Sequence, residues 1–224
     1  MGKWRILSLE KLKTKVNYHA SHQAFSKLVR KLEQNKYLES IYYQNYRKYL
    51  FLTDKGLRAA GLNESWQINK EIILHDLISV NVLENLMQDE RFKSGELTLI
   101  DKGQRSRPDG EIRLLNGDDL FLEIELTQKS KPRVRNKIRE YQLSWQKGFV
   151  FYVFSSPSVF KAYKKIINEL DLNSSPLSKK RIANFVILML EPAIKNNNFS
   201  LENSNCYFDG KFMTFSQLKD QYLS

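Results

Sequence analysis

Apolar residues in this chain recur in two rhythms, one of about three and a half residues and one of two, and the changes between them outline the elements. Ser8 is placed to cap a short helix carrying Leu9, Leu12 and Val16. Ser21 is placed to cap a second helix, with Phe25, Leu28, Val29 and Leu32 on one stripe and Asn35 at its end. Tyr37 to Tyr43 and Lys48 to Thr53 then read as two strands around a polar tip, Gln44-Asn45-Tyr46-Arg47. Asp54 is expected to cap Lys55 to Ala60, which Gly61 ends. From Trp66 to Met87 the spacing of Ile68, Ile72, Leu77, Val80, Leu83 and Leu86 predicts one long helix, and Glu96 to Ile100 reads as a short strand. A helix is expected from Pro132 to about Gln146 and another from Pro157 to about Leu170. Each precedes an apolar run, Phe149 to Phe154 and Phe185 to Leu190, of the kind found in buried parallel strands. A hairpin over Tyr207 to Met213 and a last helix capped by Ser216 complete the chain. Asn63 to Ser65 is the expected boundary between domains at 1–62 and 66–224.

The most informative alternation lies between Asp109 and Thr127. Asn116-Gly117 sits between two alternating runs, a strong hairpin signal. Ile112, Leu114, Leu120, Leu122, Ile124 and Leu126 are even-numbered, whereas Asp109, Glu111, Arg113, Glu123, Glu125 and Thr127 are odd. Side chains alternate between faces along a strand, so each strand has an apolar and an acidic side. Matching the faces requires opposed residues whose numbers add to an even value. A three-residue loop with Leu115 opposite Asp119 would set Asp109 opposite Glu125 and Glu111 opposite Glu123. Carboxylates facing one another across a ladder repel unless a cation lies between them, and clustered oxygen ligands suit Mg2+ or Mn2+. A solvated acidic sheet face is the other reading of the same pattern.

Charge adds a partner. The chain of 224 residues carries a net charge of +11, concentrated at the start: residues 1 to 65 hold 13 Lys and Arg against 5 Asp and Glu. A polyanion, foremost DNA, is the expected partner. The single cysteine, Cys206, excludes an internal disulfide, and three histidines make a zinc site a poor fit. No run of about 18 apolar residues suggests a membrane span, and with no signal-peptide pattern a cytoplasmic location is expected.

The phrases Leu28-Val-Arg-Lys-Leu-Glu-Gln-Asn-Lys-Tyr-Leu38 and Tyr49-Leu-Phe-Leu-Thr-Asp-Lys-Gly56 resemble the recognition helix and wing of bacterial winged helix-turn-helix proteins. That resemblance implies base or phosphate contacts from His22, Gln23, Ser26, Lys27, Arg30 and Lys31 on the helix and from Tyr46, Arg47 and Lys48 at the wing. Arg105 and Arg107, leading into the acidic hairpin, join them as DNA-binding candidates.

Beyond residue 66 the order helix, three strands, helix, strand, helix, strand, with Pro108-Asp109 and Glu123-Ile-Glu125, resembles the PD-(D/E)XK nuclease superfamily. A winged helix ahead of such a core is similar to the replication-relaxation family and related plasmid mobilisation relaxases. The implied fold class is α/β: an N-terminal winged helix-turn-helix followed by a restriction-endonuclease-like αβββαβ core with a mixed sheet. The implied activity is that of a divalent-metal-dependent endonuclease or nickase. Asp109 and Glu123, with the Ile124 carbonyl, would hold Mg2+ or Mn2+, and Glu84 would be a further acidic ligand. The lysine expected two positions after Glu123 is replaced by Glu125. Lys137 is then the candidate cation, ahead of Lys129, and Tyr141 the candidate nucleophile of a relaxase. The resemblance implies DNA, a second copy of the chain, or other mobilisation and replication proteins as partners. A catalytically inactive DNA-binding regulator that keeps the nuclease fold is the alternative.

Overall fold

The computed structural model describes residues 4–43, 47–62, 70–98, 107–144, 148–172, 181–195 and 199–223. Its contacts divide the chain into two compact units, Met1–Val80 with Leu97–Arg107, and Asn81–Glu96 with Pro108–Ser224. The division falls inside a helix, and the Asn63 to Ser65 segment lies outside the described residues. None of the helices among the described residues is long and apolar enough to cross a membrane.

In the first unit, β1 (Ile6–Ser8), α1 (Leu9–Lys15), α2 (His22–Gln34), β2 (Leu38–Tyr43), β3 (Arg47–Leu52) and α3 (Asp54–Ala59) follow one another. The three strands form an antiparallel sheet in the order β1-β3-β2. Ser8 and Ser21 cap α1 and α2 as expected, accepting from the backbone N–H groups of Lys11 and Ala24, each at 3.2 Å. The cap of α3 is Thr53 rather than Asp54, its hydroxyl accepting from Gly56 N at 3.1 Å. Gly56 itself is required by packing, because a Cβ there would stand 2.0 Å from the Tyr37 carbonyl oxygen. Strand β1 is too short for a period of two to register and was not legible in the pattern. Phe25 and Val29 of α2 pack into a core with Ile6, Leu12 and Leu50. Arg5 and Asp76, 4% and 1% exposed, form a buried ion pair at 2.8 Å, and Arg5 also donates to the Thr98 carbonyl.

Helix α4 (Lys70–Leu86) leads toward the second unit, whose sheet has seven strands: β4 (Phe92–Leu97), β5 (Gly110–Leu114), β6 (Asp119–Glu125), β7 (Gly148–Phe154), β8 (Val186–Leu190), β9 (Asn205–Phe208) and β10 (Lys211–Thr214). Their spatial order is β10-β9-β8-β7-β6-β5-β4. The short strand expected at Glu96 to Ile100 lies earlier, at Phe92–Leu97, where Gly95 lets α4 approach: a Cβ there would be 2.7 Å from Leu83. Strands β6, β7 and β8 are mutually parallel, while β5 runs antiparallel to β6, β9 to β8 and β10 to β9, so the sheet is mixed.

Helices cover both faces. Helices α5 (Lys131–Ser144) and α6 (Pro157–Leu172) bury Val134, Ile138, Tyr141, Phe160 and Tyr163 against Val150, Tyr152 and Phe154 of β7 and Leu188 of β8. On the other face α7 (Phe215–Tyr222) stacks Phe215 on Phe151 at 5.4 Å. Its cap is Thr214 in a reciprocal capping box with Gln217, not Ser216. The odd-numbered side of β6 is therefore no solvated acidic face: Glu123 and Glu125 are 2% and 6% exposed.

Candidate functional site

The hairpin that carries the acidic residues closes one step away from the expected place. Leu115-Asn116-Gly117 form the loop, with Gly117 N donating to Leu114 O at 3.2 Å and Gly117 at φ +90°. A three-residue loop of this kind ends on a residue in the left-handed region, which glycine occupies without strain and Asp118 would not. The pairing is thus Arg113↔Asp119, Ile112↔Leu120, Glu111↔Phe121 and Gly110↔Leu122. The apolar faces still match, but the register differs by two residues from Leu115 opposite Asp119. Continued by one position, it sets Asp109 level with Glu123 rather than with Glu125. Glu111 faces Phe121 instead of Glu123.

Asp109 is anchored on β6 at both ends: its N–H donates to Leu122 O at 2.8 Å, and its Oδ2 accepts from Ile124 N at 2.7 Å. Glu123 is met from above by α5. Val134, Ile138 and Tyr141 form the buried stripe of that helix, and Lys137 lies one turn before Tyr141, so both side chains reach the same carboxylate. The Lys137 ammonium donates to Glu123 Oε2 at 2.6 Å, and the Tyr141 hydroxyl donates to Oε1. Of the two lysines considered, Lys137 is the one in contact. Lys129, half-buried beyond the end of β6, acts on Glu125 through its charge.

Burial is the dominant influence on these carboxylates. It pushes Glu123 up from 4.5 to about 7, against the lowering charge of Lys137, while Asp109 beside it adds to the rise. Glu125 is raised for the same first reason, with a hydrogen bond from Tyr163 of α6 as its leading compensation. Glu125 does not pair with Arg113, whose guanidinium is held by Asp119 at 3.0 Å and by the Gly117 carbonyl at 2.6 Å. Tyr141 and Tyr163 are both held far above the ordinary phenol range, by burial first and then by the adjacent carboxylates. Tyr141 is buried and its hydroxyl is committed to Glu123, an arrangement that suits a group positioning that carboxylate.

Two buried polar atoms on this face have no hydrogen-bond partner among the described residues: Glu125 Oε2 and the hydroxyl of Tyr152, the β7 residue paired with Glu123. Tyr152 and Tyr163 were not singled out in the sequence. Tyr152 sits inside a continuous apolar strand and Tyr163 on an apolar helical stripe, so both read as core. The only signal was parity, since the β7 partners of Glu123 and Glu125 are the even residues Tyr152 and Phe154.

A metal ion finds two carboxylates here rather than a cage. Among the described residues no three Asp, Glu, His or Cys side chains gather to hold one. Glu84 stands on α4, whose Leu83 packs on Gly95 beside Ile112, on the face of the sheet opposite Glu123. Asp109 and Glu123 on adjacent strands nevertheless fit Mg2+ or Mn2+, which commonly take one or two carboxylates and complete their shell with water and phosphate oxygens. Lys137 would have to release Glu123 Oε2.

Five of the six DNA-binding candidates on α2 lie at the exterior. His22, Gln23, Lys27, Arg30 and Lys31 are exposed on α2, and Arg47 is exposed at the start of β3. Ser26 is half-buried, 3.4 Å from the His22 ring. Lys48 is committed to Glu33 at 2.7 Å, so its charge is partly spent within the fold. Arg107 is half-buried, while Tyr46 and Arg105 lie outside the described residues. No family model, curated protein or solved structure matches this chain.

Proposed function

We propose that this is a DNA-binding protein whose second unit is a divalent-metal-dependent phosphodiester-cleaving centre of the PD-(D/E)XK kind, acting as an endonuclease or nickase. The observation that carries the reading is the convergence of Asp109, Glu123 and Lys137: two carboxylates level on adjacent strands, with an ammonium 2.6 Å from one of them although the neighbouring strand position holds Glu125. Asp109 and Glu123 would hold the cation. Mg2+ or Mn2+ held there would supply an activated water and neutralise charge on the scissile phosphate. Tyr141 fixes the Glu123 carboxylate by hydrogen bonding to Oε1. Lys137, released from Oε2, places a positive charge beside the phosphate. In the first unit, the order β1-α1-α2-β2-β3 and the basic exposed side of α2 support a winged helix that docks the protein on duplex DNA, with Lys27, Arg30, Lys31 and Arg47 giving salt-dependent phosphate contacts. Mobilisation or replication of a mobile element is the process in which such a pairing of reader and nickase serves.

Supercoiled plasmid incubated with the protein and Mn2+ is expected to become nicked circles, and Asp109→Ala to abolish nicking while duplex binding persists. A second reading, a non-catalytic DNA-binding regulator, is favoured by one observation: both Glu123 oxygens already accept hydrogen bonds, at 2% exposure. Duplex binding with no nicking in either protein, and no effect of EDTA, decides for the second.

A further inference from the structure

An exposed aromatic ring stands at the far edge of the seven-stranded sheet, on β10. Phe212 there is 61% exposed, although it is the register partner of the buried Tyr207. Its ring is held rather than loose. Its centroid is 5.1 Å from that of Tyr207 and 6.4 Å from that of Phe160, and the Lys164 ammonium stands 4.4 Å from it and 4.7 Å from Tyr207. Tyr207 is fixed in turn by its hydroxyl, which donates to Asn168 Oδ1 at 3.1 Å. An exposed phenyl ring with a cation against it keeps open surface on which another π system can stack.

Lysines predominate around it. Lys161 and Lys165 are exposed one turn apart on α6 and flank Lys164. The nearest acid further along the helix, Glu169, pairs with Arg135 at 2.6 Å and also lies within reach of the Lys165 charge. The sheet also aligns this edge with the acidic site: Glu123, Tyr152, Leu188, Tyr207 and Phe212 are successive register partners across five strands. Four inter-strand steps place the two ends roughly 19 Å apart.

We propose that Phe212, with Lys161, Lys164 and Lys165, forms a stacking platform for single-stranded DNA, in which a base lies on the Phe212 ring and the lysines take the flanking phosphates. Exposed aromatics interleaved with lysines are the combination that binds an unpaired strand, because every base has a π face and duplex DNA presents none to a protruding ring. The inference rests on the DNA-handling reading above but not on cleavage.

The test is fluorescence anisotropy of a labelled oligothymidine 15-mer with the full chain in EDTA, across a potassium chloride series. Phe212→Ala is expected to weaken binding about tenfold and Phe212→Trp to restore it. The double variant Lys161→Ala with Lys165→Ala is expected to lower the slope of log affinity against log salt by about 1.4. Equal affinity of Phe212→Ala and the parent chain overturns the proposal. So does a Phe212-dependent dimer in sedimentation with no change in oligothymidine binding, which would give this edge to a second copy, or tighter binding of oligouridine than of oligothymidine. A protein that nicks no plasmid yet binds oligothymidine through Phe212 defeats the cleavage reading and leaves this one standing.

Discussion

Replacing Glu123 by Gln should make the protein more stable at neutral and alkaline pH. Glu123 is 2% exposed and its carboxyl is pushed from 4.5 up to about 7 by burial. An acid whose folded value lies above its unfolded one favours the fold while protonated. The penalty is therefore absent below about 4.5, grows between 4.5 and about 7, and is complete above that. At about 1.4 kcal/mol per pH unit, the difference corresponds to roughly 3 kcal/mol of stability forgone at pH 8 by keeping a buried carboxylate. Gln keeps the shape and an oxygen to accept from Tyr141 but carries no charge to desolvate. Its amide cannot accept from Lys137, whose partly exposed side chain can swing to water, so the expected gain is on the order of 1–3 kcal/mol. For a chain of this size that is a rise in melting temperature of roughly 3–10 °C. Thermal melts followed by circular dichroism at pH 4.5 and pH 8 measure it: parent and variant should coincide at the acid end and separate at the alkaline end. A Gln variant less stable than the parent at pH 8, or a difference that does not change with pH, would refute the reasoning. The same substitution should remove plasmid nicking, since the group that costs the fold its stability is the one proposed to hold the cation.

Tyr163→Phe removes the hydrogen bond to a carboxylate that already has one unpartnered oxygen. It should cost about 1–3 kcal/mol in denaturant unfolding at pH 8 and less at pH 4.5, where Glu125 is protonated more readily. Gly148→Ala should cost more than 2 kcal/mol by the same measurement, because residue 148 has φ +116° and a Cβ there would meet the Asp119 carbonyl oxygen at 1.7 Å. Arg30→Ala and Arg47→Ala should each reduce the salt slope of duplex binding by about 0.9, and equal slopes in gel-shift titrations would remove α2 and β3 from the DNA contact.

Much of the architecture follows from local patterns, and the places where it does not are instructive. Ser8 and Ser21 are readable as caps because a hydroxyl ahead of an apolar stripe has one evident use, whereas Thr53 and Thr214 stand within two residues of Asp54 and Ser216, which look equally fit to cap. A cap is chosen by backbone geometry at a single residue, and adjacent polar residues compete for it at nearly equal cost. Lys137 follows from the resemblance alone, and the structure places its ammonium on Glu123 at 2.6 Å. That Tyr141 meets the same carboxylate, and that Tyr152 and Tyr163 stand among these acids, was hidden in runs that look like plain core.

By itself the chain's alternation determined which residues of β5 and β6 share a face, because side chains in a strand repeat every two positions. That period is blind to a shift of two, so only the tertiary structure could decide that Gly117 closes the loop and that Asp109 stands beside Glu123 rather than Glu125. Alternation likewise marked one face as acidic but not as covered. Folding α5 and α6 over it took Glu123 and Glu125 out of water, and a carboxylate's chemistry depends on that desolvation, which arises between elements distant in sequence.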